Sequence, residues 1–182
     1  MSEFLEKVIY AKTKRLELQR QKFPIDEMEK LLAEAPPVRD IFSFLLKDVR
    51  GQIPIIAEIK RKSPSAGAIR LNLNPGELAR SYELAGARAV SVLCEEDFFA
   101  GSLEDLQKAK RACALPILCK DFIISSFQLI QARIFGADLV LLIVSALDSG
   151  KLKELYILSK ELMMTPLVEV HNQAELELAL SL

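Results

Sequence analysis

Beyond residue 52 the chain repeats one unit, a short apolar run followed by a longer amphipathic segment. The apolar runs cover residues 53–59, 89–94, 115–119, 139–144 and 167–170. The segments between them, 75–85, 102–113, 126–135, 150–162 and 173 to the end, carry the 3.6-residue spacing of helices. Gly86, Gly136 and Pro166 punctuate the returns from helix to strand, and the pieces AGARAV and FGADLV form a weak internal repeat. Strands that alternate with helices form parallel β-α-β units, and continuous apolar runs suit strands covered on both faces. Ile55, Val90, Ile117, Leu139 and Leu167, taken as early strand positions, span 112 residues over four intervals, a mean of 28. That period suits a doubly wound sheet or a (β/α)8 barrel. No G-x-G-x-x-G and no P-loop follows the first run, which favours the barrel.

Residues 1–52 differ. Three helices are expected there: residues 2–22, with Phe4, Val8, Ala11 and Arg15 on one stripe and Leu5, Ile9, Lys12 and Leu16 beside it; 26–33, ended before Pro36-Pro37; and 40–47, with Asp40 as N-cap and Gly51 beyond. Pro24 separates the first two. The expected organisation is a helical extension, 1–52, and a barrel portion, 53–182. The N-terminus is charged throughout and has no apolar signal core. The most apolar stretch, 139–147, is too short for a membrane helix, which needs about 20 residues. With 24 basic and 25 acidic residues, nothing attracts nucleic acid electrostatically. Cys94, Cys113 and Cys119 match no disulfide or metal spacing. The expectation is a cytoplasmic protein in a reducing compartment, with no membrane and no nucleic-acid partner.

Charge inside the apolar runs is the functional signal. Alternation puts Ile56, Glu58 and Lys60 on one strand face and Ile55, Ala57 and Ile59 on the other. Lys120 ends the third run on the face of Leu118, and Glu169 shares a face with Leu167. Ionised groups in apolar strands are costly unless paired or solvated. The C-terminal rim of a barrel is where enzymes place them. Glu58, Lys60, Lys120 and Glu169 are therefore expected to converge.

Five segments carry a resemblance: IIAEIKRKSPSAG (55–67), FFAGSLEDL (98–106), PILCKDFI (116–123), ADLVLLIVSAL (137–147) and PLVEVHN (166–172). Their E-x-K-x-x-S-P-S and L-x-K-D-F elements, in this order and spacing, resemble the indole-3-glycerol phosphate synthase family. The resemblance covers essentially the whole chain. It implies a (β/α)8 TIM barrel with a helical N-terminal extension, and a cofactor-independent carbon–carbon lyase (carboxy-lyase) of tryptophan biosynthesis. The implied substrate is a phosphorylated small molecule, 1-(2-carboxyphenylamino)-1-deoxyribulose 5-phosphate. Its ring closes, and carbon dioxide and water leave. By motif match, Lys120 is similar to the family's general acid, and Glu169 to the acid/base of dehydration. Glu58 and Lys60 match first-strand residues that hold the site. Ser63 is similar to a residue near the substrate carboxylate, and Phe99, Phe122 and Leu141 resemble the pocket for the aromatic ring. No metal is implied.

Other residues read as structural. His171 is expected to point away from Glu169 and to make an ordinary polar contact. Cys119 is expected to be a buried, inert thiol on the helix side. Cys94 stands where the family usually has a small hydroxyl residue. Arg61 and Lys62 form a basic patch with Lys60, either a solvated loop or an attraction for phosphate or carboxylate. Asp121 reads as a partner of a lysine, and Glu95, Glu96 and Asp97 as a solvated turn.

Eight units at this period need about 224 residues, whereas 130 follow Gln52, enough for about five strands. A chain of this length is expected to lack strands six to eight and their phosphate site. It is also expected to expose Ile56, Leu118 and Leu167 on an inner face and to self-associate through open barrel edges. Three readings stay open here: the synthase, a Schiff-base aldolase with Lys120 as nucleophile, and an inactive half-barrel scaffold.

Overall fold

The structure is a computed structural model that describes residues 3–22, 25–46 and 53–182. Pro24, Lys47 and Gly51, and the proposed boundary at residue 52, lie outside the described residues. Three helices come first, α1 (Glu3–Lys22), α2 (Ile25–Ala33) and α3 (Ile41–Leu45). The strands and helices then alternate as β1 (Ile56–Ile59), a two-stranded hairpin β2 (Lys62–Ser63) and β3 (Gly67–Ala68), α4 (Pro75–Leu84), β4 (Ala89–Leu93), α5 (Leu103–Ala112), β5 (Ile117–Lys120), α6 (Ser126–Ile134), β6 (Leu139–Ile143), α7 (Ser149–Glu161), β7 (Thr165–Glu169) and α8 (Gln173–Leu180). A 3₁₀ turn, Val144–Ala146, follows β6.

The five long strands form one all-parallel sheet in the order β1-β4-β5-β6-β7, so each strand is followed by a helix and then by its neighbour. The helix-side face holds the core: Ile59, Val90, Val92, Cys94, Ile117, Cys119, Val140 and Leu142 pack with Leu106, Ala109, Leu129, Leu152 and Leu155. Cys119 is a buried thiol on that side, as expected, and burial pushes the Cys94 thiol up. Polar caps start the helices: Asn74, Ser102, Ser125, Asp148 and Asn172 each accept a backbone N–H of the first turn.

The opposite face is not bare. Ile41 of α3 packs with Ala89, Leu118 and Leu139, and Leu45 lies against them. Leu118, expected on an uncovered face, is therefore buried, whereas Ile56 and Leu167 remain exposed. The reason is α3, which plugs this face at the strands' N-terminal ends. Asp138, fully buried, pins the segment leading to α3. It accepts from the backbone N–H of Arg39 at 2.6 Å, the Lys110 ammonium at 2.6 Å and the backbone N–H of Ile117 at 2.8 Å. Burial holds the Lys110 ammonium below the ordinary lysine value despite Asp138.

Two returns from helix to strand use left-handed glycines, Gly86 (φ 92°) and Gly136 (φ 96°). The third does not use Pro166, which lies inside β7 opposite Val140. Met163 makes that turn at φ 65°. Proline is tolerated near the start of the strand, where its missing donor costs least.

The buried stripe of α1 also differs from the expected one. Leu5, Val8, Lys12 and Leu16 face inwards, while Phe4 is partly exposed. Leu16 joins Met28 of α2 and Phe127 of α6 in a separate apolar cluster. Among the described residues, no helix is long and apolar enough to cross a membrane.

Candidate active site

The C-terminal ends of the strands open into a cavity of ≈ 210 Å³ lined by Glu58, Lys60, Leu93, Phe99, Lys120, Asp121, Phe122, Leu141, Ile143 and Glu169. All four charged residues of the strand ends share it. Glu58 is the next-to-last residue of β1 and Lys60 follows that strand, while Lys120 and Glu169 are the last residues of β5 and β7, so the parallel sheet brings the charges to one rim. Leu93 pairs with Lys120, and Ile143 with Glu169.

Glu58 is the hub. One carboxylate oxygen accepts from the Lys120 ammonium at 2.6 Å, and the other accepts from Lys60. Burial acts to raise the Glu58 carboxyl, but the bonds from Lys120 and then Lys60 outweigh it and hold the group below the ordinary carboxylate range. The site therefore presents a carboxylate with two ammonium groups converging on it. A cation held in this way can be aimed at a substrate oxygen. Tyr82 donates its hydroxyl to the Glu58 backbone carbonyl at 3.0 Å, which ties α4 to this strand.

The apolar side of the cavity is Leu93, Leu141, Ile143 and two rings. Phe99 and Phe122 lie 6.3 Å apart, tilted by 34°. Phe99 sits on the turn after β4, and this turn is solvated only in part: Asp97 is exposed and Glu96 half-buried. Glu95 is buried, and its carboxylate accepts the backbone N–H groups of Asp97, Phe98 and Phe99 at 3.0, 2.7 and 3.1 Å. Glu96 and Asp97 are bound by Lys12 and Arg15 of α1. Local caps thus replace solvent at Glu95, and a helix from outside the barrel repeat shares Glu96 and Asp97 with it.

Glu169 lines the cavity from β7, and it meets His171: the imidazole Nε2 is 3.3 Å from Glu169 Oε1, and Nδ1 is 3.6 Å from Glu175. The expectation that His171 points away is wrong. Residues two apart in a strand share a side, so alternation itself puts His171 on the Glu169 side, and the chain bends at His171 and Asn172 just beyond β7. A second cavity of ≈ 380 Å³ continues from the first, sharing Phe122, Ile143 and Glu169 and adding Phe4, Leu5, Ser145, His171 and Glu175.

Ser63 is not among the cavity's lining residues. It lies on β2, largely buried, and its hydroxyl accepts from the backbone N–H of Ala66 at 3.1 Å. Arg61 is not a ligand-seeking cation either. Its guanidinium grips Asp105 of α5 with two bonds, at 2.7 and 2.9 Å, and donates to the carbonyl of Leu73 at 3.1 Å. Asp121 does pair with a lysine, but it is Lys12, at 2.9 Å, and not the adjacent Lys120. The signal for that partner was present as a lysine at an inward position in the apolar stripe of α1.

The indole-3-glycerol phosphate synthase family model matches residues 5–182. The chain belongs to the indole-3-glycerol phosphate synthase family. It is 44% identical over 178 residues to the enzyme of that name from Neisseria gonorrhoeae, covering 97% of this chain and 68% of the relative. The Neisseria meningitidis serogroup B protein is 43% identical over the same length, and the Burkholderia vietnamiensis protein is 42% identical over 183 residues, covering 70% of that relative. The chain thus spans about two thirds of the length of these curated relatives. The family is a TIM barrel and a carboxy-lyase family, and the parallel β/α sheet described above accords with part of such a barrel.

Proposed function

We propose that this cavity carries out the indole-3-glycerol phosphate synthase reaction of tryptophan biosynthesis, and that Lys120 is its general acid. The observation that supports this reading is the Glu58 carboxylate, shared by Lys120 and Lys60 beside two phenylalanine rings. In this reading the aromatic ring of 1-(2-carboxyphenylamino)-1-deoxyribulose 5-phosphate lies against Phe99, Phe122 and Leu141. Lys120 gives its proton to the ribulose carbonyl oxygen as the ring carbon bonds to that carbonyl carbon. Carbon dioxide then leaves, and Glu169 serves as acid/base while water leaves. Glu58 orients both ammonium groups, and Lys60 holds the substrate. Ser63, on the hairpin after β1, would lie towards the substrate carboxylate. The family's chemistry suits the cytoplasm, where we place the protein.

Turnover, followed by the fluorescence of the indole formed, tests the reading on this chain and on a full-length relative side by side. Lys120→Ala is expected to lower kcat by about 10²- to 10⁴-fold, the usual worth of a positioned acid. A change confined to KM would reduce Lys120 to a binding group. An aldolase would use Lys120 as a free amine, whereas here its ammonium donates to Glu58. Borohydride with a carbonyl substrate is expected to trap no adduct at Lys120; a trapped imine would favour the aldolase.

A further inference from the structure

Lys12 is a buried cation far in sequence from the strand ends. It sits on the inward face of α1, 3% exposed, between two loops of the rim. Its ammonium lies 2.9 Å from Asp121, the residue after β5, and 2.8 Å from Glu96, in the turn after β4. Burial acts to lower its pKa, yet Asp121 and then Glu96 carry it above the ordinary lysine value, so the helix contributes a permanent charge. Nothing in the proposed chemistry uses it.

Asp121 stands between Lys120 and Phe122, and all three line the cavity. Its Oδ1 accepts the backbone N–H of Phe122 at 2.8 Å. From the other side Gln128 of α6 holds the same loop: its amide donates to the Phe122 carbonyl, and its oxygen accepts from the backbone N–H of Ile124, both at 2.9 Å. Unpaired, a buried Asp121 carboxylate would have to turn towards water or towards the nearest other cation. Along the same helix, Arg15 binds Asp97, and Phe4 packs edge-on to Phe98 at 5.4 Å. Helix α1 therefore fastens both loops, and Lys12 is its buried fastening.

We infer that Lys12 is a positioning residue, which sets the placement of Lys120 and Phe122 in the cavity by clamping Asp121 from outside the β/α repeat. The inference deepens the synthase reading and rests on it for its kinetic part alone. Misplacement of a catalytic group by about 1 Å can cost about 100-fold in rate.

The test compares Lys12→Met, Lys12→Met with Asp121→Asn, and Val8→Ala. The double variant removes both charges and so leaves no unpaired carboxylate at Asp121 should the single variant fail to fold. Val8→Ala loosens the packing of α1 and leaves the clamp intact. Two readouts are taken, hydrogen exchange of the Phe122 amide relative to the Cys119 amide, and kcat against KM. Both Lys12 variants are expected to lose protection at Phe122 while Cys119 keeps its own. Their kcat is expected to fall by about 10- to 100-fold with KM changed little. Val8→Ala is expected to lower Tm without either effect. Wild-type Phe122 protection in the double variant overturns the inference, as does loss of the same protection in Val8→Ala. A folded wild-type chain that forms no indole product refutes the synthase reading instead, and the exchange measurement still decides on Lys12.

Discussion

At the scale of single residues, one carboxylate organises the rim. Glu58 is flanked by Lys120 and Lys60, and its value is depressed on folding, so its pairing adds stability that depends on pH. The sign follows from proton uptake. The unfolded chain binds a proton at the ordinary glutamate value of 4.5, and the folded one only at lower pH. The stabilisation is therefore full above the unfolded value and is lost as pH falls through the folded one. Glu58→Gln is expected to melt below the wild type at neutral pH. The gap should narrow as pH falls below the ordinary glutamate value of 4.5 and the wild-type carboxylate takes up its proton. A gap constant with pH, read from melting curves, would mean that Glu58 contributes by packing alone. Lys120 and Lys60 were legible as strand-end charges, whereas Lys12 needed the neighbouring loops to explain its burial.

At the scale of elements, the period of runs and segments was legible, and the boundaries shifted by one to three residues. Strands ended where caps and loops competed for the backbone, as at Glu95, whose carboxylate takes three backbone donors. The turn after α7 shows a place where sequence and backbone disagree. Met163 holds φ 65° where the two comparable returns use glycine, and its side chain is exposed. The left-handed conformation costs a non-glycine residue about 1–2 kcal/mol, and glycine's greater freedom in the unfolded chain returns about 0.5–1 kcal/mol of that. Met163→Gly is therefore expected to raise stability by up to ~1 kcal/mol, checked by urea unfolding with an unchanged m-value. A fall in stability would show that Met163 packs in a way its exposure conceals.

At the scale of the whole molecule, the sheet has two edges, β1 and β7, with no neighbouring strand among the described residues. Ile53, Ile55, Ile56 and Leu167 are exposed close to them, and Leu176 and Leu180 lie exposed on α8. Unpaired strand edges beside apolar side chains favour pairing with another chain. The 182-residue chain is expected to self-associate, a symmetric dimer being the simplest closed form. Sedimentation over a range of concentrations checks this. A concentration-independent monomer would show that the edges are protected by their own side chains. Helix α3 limits the effect, since it already covers Leu118 and Leu139.

What the sequence determined by itself was periodic or local. The spacing of apolar runs implied parallel β/α units, and alternation within each strand told which side Glu58, Lys120 and Glu169 would take. Caps such as Asp40 were legible because a cap needs only its own first turn. Tertiary structure decided the rest, because those contacts join residues far apart in the chain. It placed Lys12 against Asp121, 109 residues away, Arg61 against Asp105, and Arg39 against Asp138. A buried charge is tolerated only beside its partner, and the partner is chosen by which loops the fold brings together.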